Sequence, residues 1–410
     1  MPALLLPIIY LAFIALGLPD SALGSAWPSM YGGLGAGVSW VGAVSAIVSA
    51  GTIASSIMSV RVVERFGTGR TTAFSVALTA AGLVGFSCCT EFWQLCLWAV
   101  PYGLGAGAVD AALNSYVAVH YAARHMSWLH CMWGIGASAG PVIMSWCLGW
   151  GAWADGFRVV GLVQAAIVAV LVLSLPLWRG GHARIGGEGD ARGGGPETAS
   201  QGEAMEAAKA AGPAEPAPSR RALVRVPGVV EVLVCFFCYS ALEATCGTWA
   251  ASYCTLVRGV SAARAAAWAS LFYVGITAGR AASGFLTLRF SDARLIRMGQ
   301  AVIACGLLLI VLPGPDACAM AGLVCVGLGC APIYPSIIHA TPARFGADNA
   351  LALTGLQMAA AYTGTLLMSP LFGVLAEALS PTLYPLYLAA LLALMVVMAE
   401  RCNAKVAARA

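Results

Sequence analysis

The sequence predicts an all-α membrane protein, with twelve transmembrane helices in two pseudo-symmetric six-helix bundles. Three observations predict this fold. There are too few charges for a water-facing surface, the apolar runs are long, and one polar tract divides those runs into two sets of six.

The first observation is compositional. Of 410 residues, 60% are hydrophobic and 10% charged, and the mean hydropathy is +0.83. A soluble domain carries about 25% charged residues, so the solvent of this chain is lipid. Hydrocarbon offers no partner to a backbone N–H or C=O, which leaves helices or closed barrels as spanning structures. The apolar runs at 4–18, 71–89 and 301–312 are continuous and do not alternate with period two, so helices are selected.

A helix needs about 20 apolar residues to cross the bilayer core. That places spans near 5–30, 37–60, 71–90, 94–121, 127–149 and 157–178, and again near 227–256, 262–288, 293–312, 316–341, 348–376 and 381–400. The first run lacks a positive leader and is longer than a signal core, so it reads as a retained helix. The tract 179–226 is rich in Gly, Ala, Pro and charge, and it reads as a disordered cytoplasmic linker between domains 1–178 and 227–410. Arg61, Arg65, Arg70, Arg124, Arg289, Arg294, Arg297, Arg344, Arg401, Lys405 and most linker cations fall on one side if the helices alternate. Arg158, Arg258 and Arg264 fall on the other, so the chain is expected to be multi-pass in the cell (inner) membrane with both termini cytoplasmic.

The same residues exclude several classes. A net charge of +4 comes from loop arginines and makes no case for nucleic acid. The 14 cysteines show no metal-ligand spacing and read as small apolar helix residues. No nucleophile is paired with a base, so no enzyme and no cofactor is expected.

An internal repeat links the two sets. Helix 1 holds Asp20, Gly24 and Trp27, and helix 7 holds Glu243, Gly247 and Trp249. Parallel halves of this kind recur in transporters. Ionisable groups at lipid depth cost about 2.5–3.5 kcal/mol and persist where they face a cavity, which singles out Asp20, Asp110, Glu243 and Arg280. Asp110 and Asn114 lie one helical turn apart on one face, a carboxylate and amide suited to hydroxyl groups or to clamping a neighbouring helix. Asp20 follows Pro19 in mid-helix and reads as a proton-exchanging carboxylate or a helix–helix bond, and Glu243 takes the same reading. Arg280 either snorkels to the interface or pairs with an acid across a gate. His130 reads as a proton relay or a packing residue, and His339 as the latter. Trp27, Trp249, Trp133, Tyr273, Tyr334 and Tyr362 are candidates for stacking on a sugar ring or for interfacial anchors, with Gln164 and Gln357 as mid-span amides.

The segment Arg61-Val62-Val63-Glu64-Arg65-Phe66-Gly67-Thr68-Gly69-Arg70 resembles the loop signature of the major facilitator superfamily, with Glu64 in place of the usual Asp. The resemblance implies that Glu64, Arg65, Gly67 and Arg70 form a charged hinge locking helix ends. Asp110-Ala111-Ala112-Leu113-Asn114, Gly134-Ile135-Gly136, Gly279-Arg280 with Gly284, and Ala331-Pro332-Ile333-Tyr334-Pro335 are similar to the fucose permease branch of sugar–proton symporters. That resemblance implies sugar-binding and proton-coupling roles for Asp20 and Asp110, with Asn114 beside them. Trp133 stands where the branch has an Asn, and Glu243 where fucose permease has an amide, a carboxylate fitted to a cation or basic group.

The expected function is proton-coupled uptake of a monosaccharide or similar polyhydroxylated solute by alternating access, with H+ or Na+ as the only co-substrate. The partners are the solute and the lipid bilayer, and a monomer is expected. Two other readings stay open at this level: a proton-coupled exporter of drugs or metabolites, and a membrane sensor or scaffold that transports nothing.

Overall fold

A computed structural model describes residues 4–121, 123–178 and 223–409. Most of the expected linker therefore lies outside the described residues. Its last stretch, 223–226, is described, and Leu223 there is buried.

Among the described residues twelve long helical segments follow in order, with a single turn Leu175–Trp178 after the sixth: α1 (Leu5–Met30), α2 (Val38–Phe66), α3 (Thr68–Ser87), α4 (Phe92–His120), α5 (Ala123–Trp150), α6 (Trp153–Leu173), α7 (Val229–Leu256), α8 (Ala262–Leu286), α9 (Asp292–Val311), α10 (Asp316–Phe345), α11 (Ala347–Ala378) and α12 (Pro381–Ala407). Ten of them are long and apolar enough to cross a membrane. The other two, α3 and α8, have the length but carry polar residues. In α3 the hydroxyls of Thr72 and Thr79 donate to carbonyls of their own helix and that of Thr71 to the Gly67 carbonyl just before it, which offsets the cost of burying them. In α8 the polar burden is Arg264 and Arg280.

The packing repeats itself. In the first half α1 packs on α5, α2 on α4, and α3 on both α4 and α6. In the second half α7 packs on α11, α8 on α10, and α9 on both α10 and α12. Advancing every number by six maps one set onto the other. The halves meet along α5 with α8 and α2 with α11, a pair exchanged by the same operation, and along α1 with α7.

Small residues make these crossings. A Cβ on Gly103 would run into the Val48 carbonyl of α2, and one on Gly327 into the Phe272 carbonyl of α8. Lipid gives no hydrophobic drive between helices, so close backbone approach supplies the packing. Tight reversals occur between α2 and α3 at Gly67 (φ 79°) and between α10 and α11 at Gly346 (φ 92°), each preceded by Arg-Phe. Only glycine adopts such a φ without steric cost.

Two helices are broken at mid-length. In α1 the segments Leu5–Asp20 and Ala22–Met30 are separated by Ser21, just after Pro19. In α10 the segments Asp316–Cys330 and Ile333–Phe345 are separated by Ala331 and Pro332. Proline removes a backbone donor and forces the kink.

The halves touch tightly at the end opposite the chain termini, the far end. A Cβ on Gly24 would stand 2.7 Å from the Thr248 carbonyl oxygen, and one on Gly42 2.7 Å from Cα of Pro370. Ser39 N–H donates to Glu377 Oε2 at 2.9 Å, joining the start of α2 to the end of α11. Among the described residues no comparable seam joins α4 to α10 or α11. The space between the halves therefore opens toward the end that carries the termini.

Candidate functional site

The broken α1 leaves Asp20 at the end of a helical segment. Its side chain is exposed although it lies at mid-length of a helix surrounded by others. Both carboxylate oxygens are engaged: Trp133 Nε1–H of α5 donates to Oδ2 at 2.8 Å, and the Tyr102 hydroxyl of α4 donates to Oδ1 at 3.4 Å. Ser21 fixes the break by donating to the Ala137 carbonyl of α5 at 2.7 Å. An exposed carboxylate at this depth means the chamber between the halves reaches it.

Asp110 lies about two turns beyond Tyr102 on α4, and Asn114 Nδ2–H one turn further donates to its Oδ1 at 2.9 Å. Both side chains are half-buried, and the Asn114 amide oxygen has no hydrogen-bond partner among the described residues. His130 of α5 is half-buried and meets the Phe13 ring edge-on at 6.0 Å.

The second half supplies a charge pair. Arg280 Nη2 lies 3.9 Å from Glu243 Oε1, with side-chain exposures of 20% and 22%. The Arg280 guanidinium also sits over the Trp133 ring, 4.7 Å from its centroid. Trp133 is thus bonded through its N–H to Asp20 and through its face to Arg280. The sequence Asp20, Trp133, Arg280, Glu243 runs from α1 through α5 to α8 and α7, and crosses from one half to the other. Tyr273 completes the wall, its ring 6.5 Å from Trp133.

Several sequence expectations are corrected here. Arg280 does not snorkel to an interface, because it stands in the chamber with an acid and an aromatic ring. Glu243 is not a free carboxylate awaiting a cation, because Arg280 already faces it. Trp27 and Trp249 present no face to the chamber. They are 0% and 1% exposed, and their indole N–H groups donate to the carbonyls of Val38 and Ser369. Gln357 is fully buried and forms a clamp with Thr341, Nε2–H donating to Oγ1 at 2.9 Å across α10 and α11. Gln164 is buried likewise and donates to the Ala15 carbonyl. The loop residues Glu64, Arg65 and Arg70 are exposed and form no ion pair among the described residues, at the end where the halves are parted. His339 is set at that end too, bonded to Asp292 at 2.9 Å, far from the chamber.

The pairing most easily missed in the sequence is Trp133 with Asp20. The two are separated by 113 positions, and an indole among many apolar residues carries no local sign of a polar task. Two apolar grooves of about 510 and 590 Å³ lie on the flanks, one along α2 and α11 and one along α7, α9 and α12, and neither includes any chamber residue.

Comparison with known proteins bears on the fold. A family model described as Major Facilitator Superfamily matches residues 9–350. Bypass of stop codon protein 6 of Saccharomyces cerevisiae is 23% identical over 288 residues, covering 68% of this chain and 56% of that protein. The chain thus spans about half the length of this curated relative. Among solved structures, a bacterial homolog of the human lysosomal transporter Spinster, in an inward-facing and occupied conformation, aligns with TM-score 0.67 at 12% identity, covering 98% of this chain and 96% of that one. A transporter named FucP in the outward conformation aligns with TM-score 0.61 at 15% identity, covering 97% and 98%. The Escherichia coli fucose:proton symporter FucP aligns with TM-score 0.57 at 17% identity, covering 97% of each. At these identities the likeness is one of fold.

Proposed function

Because the chain belongs to the major facilitator superfamily, we propose that it is a proton-coupled secondary transporter carrying a monosaccharide or similar polyhydroxylated solute by alternating access. It is an integral multi-pass membrane protein. In this reading the termini are cytoplasmic, the far end faces outward, the coupling ion is H+, and a monomer suffices because each chain holds both halves.

The observation that carries the proposal is the exposed mid-helix carboxylate of Asp20, joined by Trp133 to a charge pair on the opposite half. A proton on Asp20 removes the charge that the Trp133 and Tyr102 donors stabilise, and hydrogen bonds to a charged group are worth about 1.5–3 kcal/mol. Because Trp133 also carries Arg280, that change is transmitted to the second half. A ligand or proton shifts a two-state equilibrium only through such differential contacts. The polyol reading rests on Asp110 and Asn114, whose acceptors and donors sit side by side on one helix face. The fold of the fucose:proton symporter supports the same direction.

The test is uptake in proteoliposomes under an imposed pH gradient, with Asp110→Asn beside the wild type. The expected result is loss of proton-driven accumulation while exchange of the solute across the membrane persists. Unchanged coupling in the variant would count against the assignment.

A further inference from the structure

We infer that Arg280 receives a negatively charged group of the solute, so that the preferred cargo is a hydroxylated carboxylate and not a neutral sugar. This rests on the transporter reading above and narrows its substrate class.

Arg280 is under-engaged for its setting. Its one ionic contact, Glu243, lies at 3.9 Å, beyond hydrogen-bond reach, and no acceptor lies within that reach among the described residues. A cation at lipid depth is costly and is normally held by well-placed acceptors. The guanidinium lies over the Trp133 ring and its N–H groups make no hydrogen bond among the described residues, while the side chain keeps 20% exposure. The N–H edge of a guanidinium is a planar fork whose geometry matches a carboxylate bidentately. Both Arg280 and Glu243 retain access to the chamber, so an incoming anion can take the place Glu243 holds loosely.

The opposite wall handles a different chemistry. Asp110 and Asn114 sit on α4, with Asp20 and Tyr102 nearby, and all of them exchange hydrogen bonds and not positive charge. A solute with hydroxyls at one end and a carboxylate at the other bridges the two halves, meeting each with the group it recognises.

Charge balance adds an order of loading. The titratable groups around the chamber are Asp20, Asp110, His130, Glu243 and Arg280, with the buried Tyr102, Tyr239 and Tyr273 packed behind them. With Asp20 and Asp110 ionised the chamber is negative and repels an anion. Once both carry protons, Arg280 and Glu243 are the charges left among these groups, and an anion reaches the Arg280 N–H edge beside Glu243 without meeting two further carboxylates. Coulomb interactions over several ångströms are strong enough in a low-dielectric chamber to enforce that sequence.

The experiment is radiolabelled counterflow in proteoliposomes with gluconate, glucuronate, glucose and L-fucose as probes. The wild type is expected to exchange the two carboxylates at least about tenfold faster than the two neutral hexoses. Arg280→Gln is expected to abolish carboxylate exchange, with Arg280→Lys recovering part of the loss. Glu243→Gln removes the internal competitor and is expected to lower the half-saturating gluconate concentration. Hexose exchange with no carboxylate exchange in the wild type overturns the inference and leaves the transporter reading standing. Exchange of none of the four probes overturns both. The wild-type selectivity decides the matter even where an Arg280 variant fails to fold.

Discussion

The bond from Ser39 to Glu377 fixes which end of the molecule is shut, and its strength can be estimated. The Ser39 N–H belongs to the opening turn of α2, where backbone donors lack partners within the helix. Glu377 approaches from α11 of the other half and accepts at 2.9 Å, and a Cβ on Gly37 would lie 2.6 Å from its Oε1. The carboxylate therefore caps a helix start across the seam. Such caps are worth about 0.5–2 kcal/mol, and an acid near a helix N-terminus adds about 0.3–1 kcal/mol. Glu377 is exposed, so the lower end applies, about 1 kcal/mol in all.

Removing it with Glu377→Ala takes that amount from the far-end-closed state alone, since the partners separate in the other state. The ratio of far-end-closed to far-end-open molecules is then expected to fall roughly fivefold, because about 1.4 kcal/mol corresponds to tenfold. Glu377→Gln keeps an acceptor and loses the charge, and is expected to fall between. The assay is electron–electron distance measurement between labels at Gly32, which is exposed with open space around it, and Leu379. They are introduced through non-natural amino acids, because the 14 native cysteines preclude thiol labelling. A distance distribution identical in wild type and both variants would refute the reasoning.

Four further outcomes are expected. Trp133→Phe keeps an aromatic face beneath Arg280 but removes the donor to Asp20. Proton-driven accumulation should fall while counterflow persists, and equal loss of both would reduce Trp133 to packing. Gly327→Ala forces a methyl into the Phe272 carbonyl and is expected to cost about 1–3 kcal/mol, read as a lower unfolding temperature in detergent. Gly284→Ala meets nothing within 4 Å and should leave that temperature unchanged or slightly higher. Lys405→Ala leaves the 7% exposed Glu231 carboxylate without its partner, so stability should drop, and the double variant with Glu231→Gln should regain part of the loss.

Helix number, order and the two-half plan were legible because lipid depth demands long apolar runs, and nothing tertiary intervenes in that demand. The carboxylates were legible for the same reason, since Asp20 and Asp110 stand out against apolar neighbours. Orientation around each helix was not. In a water-soluble helix the polar face marks the outside, whereas here the lipid face and the packed face are both apolar. Trp27 and Trp249 therefore read as chamber residues from their repeat, although both lie at the seam with their N–H groups spent on Val38 and Ser369. Gln357 misled in the same way, its amide being spent on Thr341. The position of Arg280 near a helix end pointed to the interface, and only the distant partners Glu243 and Trp133 show that it points inward.

The meeting of α1 and α7 has a further consequence. Gly24 lies directly on the main chain at Gly247 and Thr248, so no side chains interlock there. Interdigitated surfaces must climb out of one another before they can tilt, which makes their motion abrupt. Two bare backbones can roll, as a smooth fulcrum does, and re-seat without repacking. A bulky residue at Gly24 would be driven into the Thr248 main chain and would convert that fulcrum into a ratchet.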